Sequence, residues 1–457
     1  MYKIEQKNKK PLHIQLYEEI KKDITENYKV NDKLPSIRKI STAYNLSKNT
    51  VENAYSQLVV EGYIESIPKS GFKVIENHYI NISENISYKN DEKEVENHIL
   101  YDFYPACLQK ENFPLKLWKR LFNKNINESL DLGNYPHKQG EYKLREEISK
   151  YLKESRAVNC NTEQIIVSNG FISSMSLLCM ILKNHKLLAI ENPGYYIANK
   201  VFENHNFKID KIDVNSNGID INKLENSKAK LLYITPSHQY PTGVAIPITN
   251  RLKLLEWSKN NDSYIIEDDY DSELSYINRP IPSLQGLDNN QKVIYVGTFS
   301  KALSPALRVS YIVLPEPLLQ IYKKEFFYYD SGVCLITQKT LEEFLAQGYW
   351  DKHLRKIRTL NKKKHNLMKE LLEKKLKNSM KIISQGAGLS ILIQATKEFD
   401  YEKAEKLAKI NGIKIYNSKM RSGGALEGFM MGFGSIKEEE LEKAINAFSN
   451  VWFKCFK

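Results

Sequence analysis

Residues 296–315 read VGTFSKALSPALRVSYIVLP, in which a strand-like apolar run leads into a lysine and then an arginine. Lys301 follows the strand and has Thr298, Ser300 and Arg308 close to it along the chain. A lysine buried beside an arginine is disfavoured as the ammonium ion, and its neutral amine is a better nucleophile toward aldehydes. Two hydroxyl groups and a guanidinium group suit a phosphate monoester. This stretch therefore predicts a site for a phosphorylated ligand at the end of a strand.

Strand-like runs of the same kind occur on both sides of this stretch. They read IIVSNG at 165–170, KLLAIE at 186–191, KLLYITP at 230–236 and SYIIEDD at 263–269, and helix-like segments such as ITNRLKLLEWSKNN separate them. Alternating apolar strands and helices predict a layered α/β sheet with substantial parallel pairing. In such sheets, sites form at the carboxyl ends of the strands.

Two of these strand ends carry further candidate groups. Gly170 lies between a strand and a helix, so the backbone amides of Phe171 and Ile172 would be free to hold a phosphate at the helix start. Four carboxylates cluster at the end of the 263–269 strand, and such a cluster is costly without a partner cation. They are Glu267, Asp268, Asp269 and Asp271.

These groups together suggest pyridoxal phosphate. The lysine would form the Schiff base, one carboxylate would keep the pyridine nitrogen protonated, and the phosphate would anchor the cofactor. A metal site and a solvated acidic loop are the alternatives for the carboxylates. The five cysteines are scattered along the chain and fit neither a disulfide framework nor a zinc site, so no metal is expected.

The first 75 residues have a different pattern. Apolar residues spaced four apart over 12–24 predict one helix, and Ser36 and Ser47 are plausible N-caps of two more. A short hairpin is predicted around PKSG at 68–71. Three helices and a hairpin describe a winged helix-turn-helix, whose third helix enters the DNA major groove. A small helical bundle with a polar face is the alternative.

The run from Lys33 to Val74, KLPSIRKISTAYNLSKNTVENAYSQLVVEGYIESIPKSGFKV, resembles the winged helix of the GntR family over nearly its whole length. By that resemblance, operator DNA would be contacted by Arg38, Ser47, Lys48, Asn49, Thr50 and the wing residues Lys69 and Gly71. The recognition helix often begins with Arg in that family. Lys48 stands there in this chain, which weakens bidentate reading of guanine.

The segment after this unit is polar and aperiodic, which predicts a linker over 76–98 and a second domain over 99–457. From about Tyr101 onward the chain resembles a fold-type I aminotransferase, specifically the effector domain of the MocR subfamily of GntR regulators. The matching segments, in the order of the family, are NYPHKQGEYKLREEISKYL, ENPGYYIAN, TPSHQYPTGVAIP, IIEDDYDSE and GTFSKALSPALRVSYIVLP. The resemblance implies a large, mostly parallel sheet domain with a smaller α+β subdomain.

Residue by residue, the resemblance makes Lys301 the Schiff-base lysine and Asp268 the partner of the pyridine nitrogen. Tyr270 would bond the ring 3-hydroxyl, and Tyr195 would stack on the ring. Tyr135 would reach the phosphate of a neighbouring subunit, which implies a homodimer. The phosphate itself would be held by Thr298, Ser300, Arg308 and the amides of Phe171 and Ile172 after Gly170. His238 and Gln239 belong to the pattern of the regulators, with either a packing role or a ligand contact.

Departures from the aminotransferase pattern decide between regulation and turnover. Tyr240 replaces the usual Asn before Pro-Thr-Gly, and Met430 stands where enzymes of this fold place the Arg that clamps the substrate carboxylate. A thioether cannot pair with a carboxylate, so substrate binding would lose a bidentate pair unless Arg421 or another cation substitutes.

We therefore expect a dimeric DNA-binding regulator whose cofactor domain responds to a small molecule. That molecule would be pyridoxal phosphate itself, or an amine or amino acid forming an external aldimine. An active aminotransferase with a DNA-binding extension and a regulator that has lost the cofactor are the alternatives.

Charge and hydropathy add two expectations. The net charge of +12 is concentrated in two parts of the chain, residues 1–75, with 13 Lys and Arg against nine acidic residues, and a basic segment over 352–381, with 12 against two. The second segment predicts a helix with one basic face, which is either solvated or in contact with DNA. We expect Lys362, Lys363 and Lys364 on that face. The polar start of the chain and the lack of a long apolar run predict a cytoplasmic protein that does not enter a membrane.

Overall fold

The computed structural model of the chain describes residues 2–5, 10–68, 70–76, 99–128, 130–276, 281–424 and 426–457. These residues form two compact units, one up to residue 76 and one from residue 99. The predicted linker, apart from residue 76 itself, lies outside the described residues, as does the wing residue Lys69. The domain boundaries at 75 and 99 therefore stay predictions.

The N-terminal unit consists of three helices and one hairpin. Their bounds are α1 Leu12–Asn27, α2 Ile37–Tyr44, α3 Lys48–Val60, β1 Ile64–Ile67 and β2 Gly71–Val74. The side chains of Ser36 and Ser47 cap α2 and α3 by accepting hydrogen bonds from the backbone amides of Lys39 and Thr50. Asn45 adopts a left-handed conformation (φ 52°) in the turn that joins these two helices. The predicted winged helix-turn-helix is confirmed.

The C-terminal unit contains twelve helices and thirteen strands among the described residues. The helices are α4 Leu115–Asn125, α5 Tyr142–Arg156, α6 Gly170–Ile181, α7 Tyr196–Asn204, α8 Ile221–Asn226, α9 Ile248–Asn260, α10 Glu316–Glu325, α11 Leu335–Ala346, α12 Tyr349–Leu376, α13 Tyr401–Ile410, α14 Ser418–Arg421 and α15 Leu441–Trp452. The strands are β3 Tyr101–Asp102, β4 Ile165–Ser168, β5 Leu187–Asn192, β6 Lys208–Asn215, β7 Gly218–Ile219, β8 Leu231–Ile234, β9 Tyr264–Asp269, β10 Val293–Thr298, β11 Ser310–Val313, β12 Met380–Ser384, β13 Ser390–Ala395, β14 Ile413–Lys414 and β15 Phe429–Gly432.

Eight of these strands form one large sheet in the order β4-β11-β10-β9-β8-β5-β6-β7. The central strands from β10 to β6 are parallel to one another, whereas β11 is antiparallel to both of its neighbours. Helices cover both faces, and one face buries Ile190, Ile266 and Ile294 against α6, α7 and α10. This doubly covered parallel sheet confirms the predicted α/β architecture and brings the ends of β4, β9 and β10 to one edge.

A smaller three-stranded antiparallel sheet has the order β12-β13-β15, and β3 pairs with β14. These strands build the smaller α+β subdomain that the aminotransferase resemblance implied. The pairing of β3 with β14 carries the segment around Tyr104 to this subdomain, although more than 300 residues separate the two strands.

The basic segment 352–381 is helical only as far as Leu376, where α12 ends. A short 3-10 helix over Lys377–Ser379 follows, and Met380 and Lys381 begin β12. Lys364 is buried, and its Nζ donates hydrogen bonds to Gln109 Oε1 (2.8 Å) and the carbonyl of Gly434 (3.1 Å). Its expected place on the basic face is therefore wrong. Burial lowers the pKa of Lys364 to about 8.

Candidate functional site

The predicted site residues meet in one cavity of about 390 Å³ at the carboxyl ends of the central strands. Nine of them line it: Phe171, Ile172, Tyr195, Asp268, Tyr270, Thr298, Ser300, Lys301 and Arg308. They converge because β9 and β10 are parallel neighbours, so that their following loops leave the sheet side by side. Strand β4 ends at the same edge, two positions from β10.

One end of the cavity is built to hold an anion. Helix α6 begins at Gly170, whose φ is +77°, and a Cβ atom there would lie 2.1 Å from Nη2 of Arg308. Only glycine therefore lets the guanidinium approach the helix start. No carboxylate of the described ranges forms an ion pair with Arg308. The hydroxyl groups of Thr298 and Ser300 lie 3.0 Å from each other. Together with the helix amides and the guanidinium, they form a set of hydrogen-bond donors that fits a phosphate.

Lys301 lies in the middle of the cavity, with its Nζ 5.8 Å from the centroid of the Tyr270 ring. Burial lowers the pKa of Lys301, and the positive charge of Arg421 lowers it further, against the opposing effect of Asp271. The amine is thus biased toward its neutral, nucleophilic form, as the sequence predicted. The main cause is burial, and the arginine that contributes is Arg421 and not the neighbour in sequence, Arg308.

Asp268 and Asp271 are the two buried carboxylates of the acidic cluster that line this cavity, and Asp268 is the one assigned to the pyridine nitrogen. Tyr233 donates a hydrogen bond to its Oδ2 at 2.5 Å, and burial raises the pKa of Asp268 to about 7 in spite of that bond. A carboxylate in this setting is stabilised as an anion by a cation beside it, such as a protonated pyridine nitrogen.

The other three carboxylates of the acidic cluster have separate partners. Glu267 accepts the backbone amides of Leu284 and Gln285, and Asp269 pairs with Arg156 at 2.7 Å. Asp271 accepts a hydrogen bond at 2.8 Å from Nδ1 of His238. In the part of the chain that the structure describes, no group of three or more His, Cys, Asp or Glu side chains is arranged to hold a metal ion.

His238 and Gln239 have different surroundings. His238 lines the cavity, its Nδ1 lies 3.1 Å from the hydroxyl of Tyr270, and its buried Nε2 has no partner among the described residues. Burial opposes the protonated form of His238, but the charge and hydrogen bond of Asp271 outweigh it and raise the pKa. Gln239 is fully buried and bonds the carbonyl of Pro193 (2.8 Å), which is a packing role.

The opposite end of the cavity is formed by Tyr104, Tyr240, Arg421 and Met430. The hydroxyl of Tyr240 donates to the sulfur of Met430 at 3.3 Å. Burial raises the pKa of Tyr240 to about 12, although Arg421 lowers it through its charge and a hydrogen bond. Met430 is buried and lines the cavity here, and its assignment to the position of the enzymes' arginine stays a prediction.

Several lining residues were not predicted from the sequence. Tyr104 and Cys107 come from a segment far from the other site residues, and burial raises the pKa of the Cys107 thiol. The sequence indicates Arg421 only as a cation that could replace the missing arginine at position 430. Tyr135 lies outside this cavity and is 90% exposed, so its predicted contact with a neighbouring subunit stays a prediction.

The DNA-contact candidates lie at the start of α3 and around it. Arg38, Lys48 and Asn49 are exposed. The hydroxyls of Ser47 and Thr50 lie 2.8 Å apart at the helix start, where Ser47 also serves as the cap. Gly71 begins β2 with φ +97°, while Lys69 lies outside the described residues.

Fold and site together define a winged-helix DNA-binding unit joined to a domain of the aminotransferase fold, with a cavity that fits pyridoxal phosphate. Residues 12–74 match the gntR family of bacterial regulatory proteins, and residues 106–448 match aminotransferase class I and II. The chain belongs to the MocR subfamily of GntR transcriptional regulators, in which these two domains are fused. It is a DNA-binding transcriptional regulator with pyridoxal phosphate as its cofactor.

Relatives and structures agree with this assignment. The chain is 34% identical over 451 residues to the HTH-type transcriptional regulator YdeL of Bacillus subtilis (strain 168), which covers 97% of both chains. It is 28% identical to the probable rhizopine catabolism regulatory protein MocR of Rhizobium meliloti, over 96% of this chain and 93% of that protein. The crystal structure of a multiple substrate aminotransferase from Thermococcus profundus shares the fold, with a TM-score of 0.71 and 21% identity over 79% of this chain and 92% of the enzyme.

Along the described residues, no helix has the length and apolar character that crossing a membrane requires.

Proposed function

We propose that the cavity binds pyridoxal phosphate through the predicted residues and that its occupancy controls operator binding by the winged helix. The single observation that supports this most strongly is that Arg308, which Gly170 allows to lie against the start of α6, lines the same cavity as Lys301 and Asp268. When bound, the cofactor supplies an electrophilic aldehyde carbon and a ring that accepts electrons.

Each residue then has a defined task. Lys301 would form the Schiff base with the aldehyde carbon, and burial favours its neutral, nucleophilic amine by lowering its pKa. Asp268 holds a proton on the ring nitrogen, and Tyr270 bonds the ring hydroxyl. Tyr195 packs on the ring and is itself held by edge contacts with Phe171 (5.3 Å) and Tyr240 (5.2 Å). The phosphate is held by the amides after Gly170, by Arg308, and by the hydroxyls of Thr298 and Ser300.

Regulation, and not turnover, is the output that we propose. Met430 cannot pair with a substrate carboxylate in the way that the arginine of the enzymes does. The effector is pyridoxal phosphate itself, or an amine that competes with Lys301 for the aldehyde carbon. We further propose a homodimer, in which the exposed Tyr135 reaches the cofactor phosphate of the partner subunit and two winged helices bind repeated half-sites.

The DNA contacts are proposed to come from Arg38, from Ser47 to Thr50 at the start of α3, and from Lys69 and Gly71 of the wing. The exposed face of α12 remains a second candidate surface for DNA, with Lys362 and Lys363 on it. Lys363 also pairs with Glu438 at 2.8 Å. Lys364 does not belong to this surface, since its ammonium group is buried in the packing of the C-terminal unit.

Operator binding by the full-length protein tests the proposal. A duplex is first selected from random DNA by the protein, and its Kd is then measured with and without pyridoxal phosphate, and across a panel of amines. We expect the cofactor, or the cofactor with one amine, to change the Kd by about tenfold or more, the usual range of coupling between sites. Lys301→Ala should abolish the absorbance band at about 420 nm that reports the lysine-bound cofactor. An operator Kd that none of these ligands changes would contradict the proposed regulation.

A further inference from the structure

The cofactor cavity contains a histidine–aspartate pair that none of the cofactor contacts requires. Nδ1 of His238 donates to Oδ2 of Asp271 at 2.8 Å, and the hydroxyl of Tyr270 donates to the backbone carbonyl of His238 at 3.0 Å. Both members of the pair line the cavity, as Lys301 does. Because Nδ1 keeps its proton for the carboxylate, Nε2 is the nitrogen that can take up and release a proton.

Two glycines make room for this pair. Gly243 (φ +75°) and Gly388 (φ +68°) both adopt the left-handed conformation. A Cβ atom on Gly243 would lie 3.2 Å from His238 Nε2, and one on Gly388 would lie 2.6 Å from Asp271 Oδ2. A side chain at either position would therefore crowd one member of the pair as well as strain the backbone.

Nε2 of His238 is buried and has no hydrogen-bond partner among the described residues. A buried polar atom without a partner costs free energy, and a catalytic role is one reason for which such atoms are kept. The hydroxyl of Ser384, which also lines the cavity, lies near Nε2, because a Cβ atom on Gly243 would touch both groups. Nε2 is thus in a polar part of the cavity wall.

The pair and the lysine act on each other through their charges. Asp271 raises the pKa of Lys301 more than any other charged group does, against the stronger lowering effect of burial. Lys301 in turn lowers the pKa of His238, and Asp271 raises it. Tyr270, whose hydroxyl lies 3.1 Å from Nδ1, is a further titratable group in contact with His238, and Ser384 of β12 is neutral. The proton on the imidazole and the proton on the amine are therefore coupled.

We propose that His238 is the acid–base residue that makes and breaks the bond between Lys301 and the cofactor, and that Asp271 is the positioning residue that fixes its tautomer. This inference rests on the proposed function, since it concerns how the lysine takes up pyridoxal phosphate. As Lys301 Nζ bonds the aldehyde carbon, the carbon–oxygen bond breaks. The oxygen leaves as water with the two protons of the neutral amine, and Nε2 of His238 carries them from nitrogen to oxygen.

The test separates the rate of this bonding from its equilibrium. Full-length protein freed of cofactor is mixed with pyridoxal phosphate, and the absorbance band at about 420 nm is followed by stopped flow. The rate at saturating cofactor, the plateau rate, reports the covalent step. In His238→Gln, whose amide can still donate to Asp271, we expect the plateau rate to fall about 100-fold. The Kd should stay within about a factor of two, because an acid–base group lowers the barrier in both directions.

The matched control is His185→Gln. His185 packs against the ring of Tyr264 and does not line the cavity. This variant should take up the cofactor at the rate of the unaltered protein.

A pH profile distinguishes proton transfer from a role in packing. In the unaltered protein, the plateau rate should rise with pH as Lys301 loses its proton and fall again as His238 loses the proton that it delivers. His238→Gln should keep the rise and lose the fall.

An NMR titration of the cofactor-free protein, with carbon-13 in the histidine rings, measures the pair directly. The signal that is missing from His238→Gln belongs to His238, and its pKa should lie above the ordinary value of about 6.5. Asp271→Asn should lower this pKa, because burial then acts without the opposing negative charge.

Three results would overturn the inference: an unchanged plateau rate in His238→Gln, a loss of rate in that variant with an equal loss of affinity, or a His238 pKa that Asp271→Asn does not lower. If His238→Gln does not fold, Asp271→Asn gives the same kinetic test and should also slow the plateau rate. A missing cofactor band in the unaltered protein would refute cofactor binding and this inference with it, whereas a band that forms equally fast without His238 refutes the inference alone.

Discussion

The two ends of the cofactor cavity differ in how closely they follow the aminotransferase pattern. At the phosphate end, Gly170, Thr298, Ser300 and Arg308 form the donor set that the sequence predicts, and the fit is tight enough that one added carbon would displace the guanidinium. At the opposite end, Met430 lies where the aminotransferase resemblance predicts an arginine in the enzymes, and Arg421 of α14 lines the cavity beside it.

From this difference we expect cofactor binding and substrate recognition to be separable in this fold. The phosphate end depends on backbone geometry at the edge of the large sheet, which the strands hold rigidly. The opposite end depends on side chains from the small subdomain and from the segment around Tyr104, which can change without altering the sheet. A regulator can thus keep the cofactor and change what is recognised beside it.

The largest expected effect is at the phosphate end. In Gly170→Ala, the new Cβ would lie 2.1 Å from Arg308 Nη2, so the guanidinium must leave its place. We expect the Kd for pyridoxal phosphate to rise about 100-fold, as a charge-assisted pair is lost. The matched control is Gly348→Ala, which imposes similar backbone strain (φ +67°) with nothing within 4 Å. If Gly170→Ala binds the cofactor as tightly as Gly348→Ala does, the cradle of Gly170 and Arg308 does not hold the phosphate.

A medium effect should appear in the pH dependence of the cofactor-free protein. Burial raises the pKa of Asp268 to about 7, so the folded protein keeps a proton that the unfolded chain releases at about pH 4. A raised carboxyl pKa stabilises the fold at low pH, and this stabilisation is lost as the pH rises through the folded value. Relative to Asp268→Asn, the free energy of unfolding should therefore fall by about 1 kcal/mol per pH unit between about pH 4 and 7.

Urea denaturation of both proteins at several pH values measures this difference. Buried carboxyl groups whose raised pKa does not depend on Asp268, such as Glu267, affect both proteins alike and cancel in the comparison. Asp351→Asn, at an exposed position of α12, is the control and should follow the unaltered protein. Parallel curves for the unaltered protein and Asp268→Asn would show that the Asp268 environment does not raise its pKa.

The smallest effect is expected at the opposite end. Met430→Leu conserves volume and removes only the sulfur that accepts the hydrogen bond from Tyr240. Stability should fall by less than about 1.5 kcal/mol, and the Kd for pyridoxal phosphate should stay within about a factor of two. Thermal unfolding and cofactor titration measure both quantities. A loss of cofactor affinity comparable to that of Gly170→Ala would mean that the two ends are not separable.

Much of the fold and of the candidate site could be predicted because local sequence carries it. Helix caps such as Ser36 and Ser47, the alternation of strands and helices, and the short motif around Lys301 depend on residues close together in the chain. The parallel sheet follows from that alternation, and the convergence of Asp268, Lys301 and Gly170 follows from the parallel sheet. The burial of Lys364 could not be predicted from the helical pattern, because Lys362, Lys363 and Lys364 are three identical residues in a row. Only the contacts of Lys364 with Gln109 and Gly434, which are distant in the chain, distinguish it from the other two.

By itself, the sequence determined the two domain types, the cofactor and the residues expected to hold it, since those depend on local motifs and on the order of elements. Only the tertiary structure decided how the acidic cluster is divided between partners, that His238 faces the cavity while Gln239 packs, and that Arg421 lies between Tyr104 and Tyr416 in the cavity. The physical reason is that these contacts join segments far apart in the chain. Their partners are chosen by packing, which no local pattern encodes.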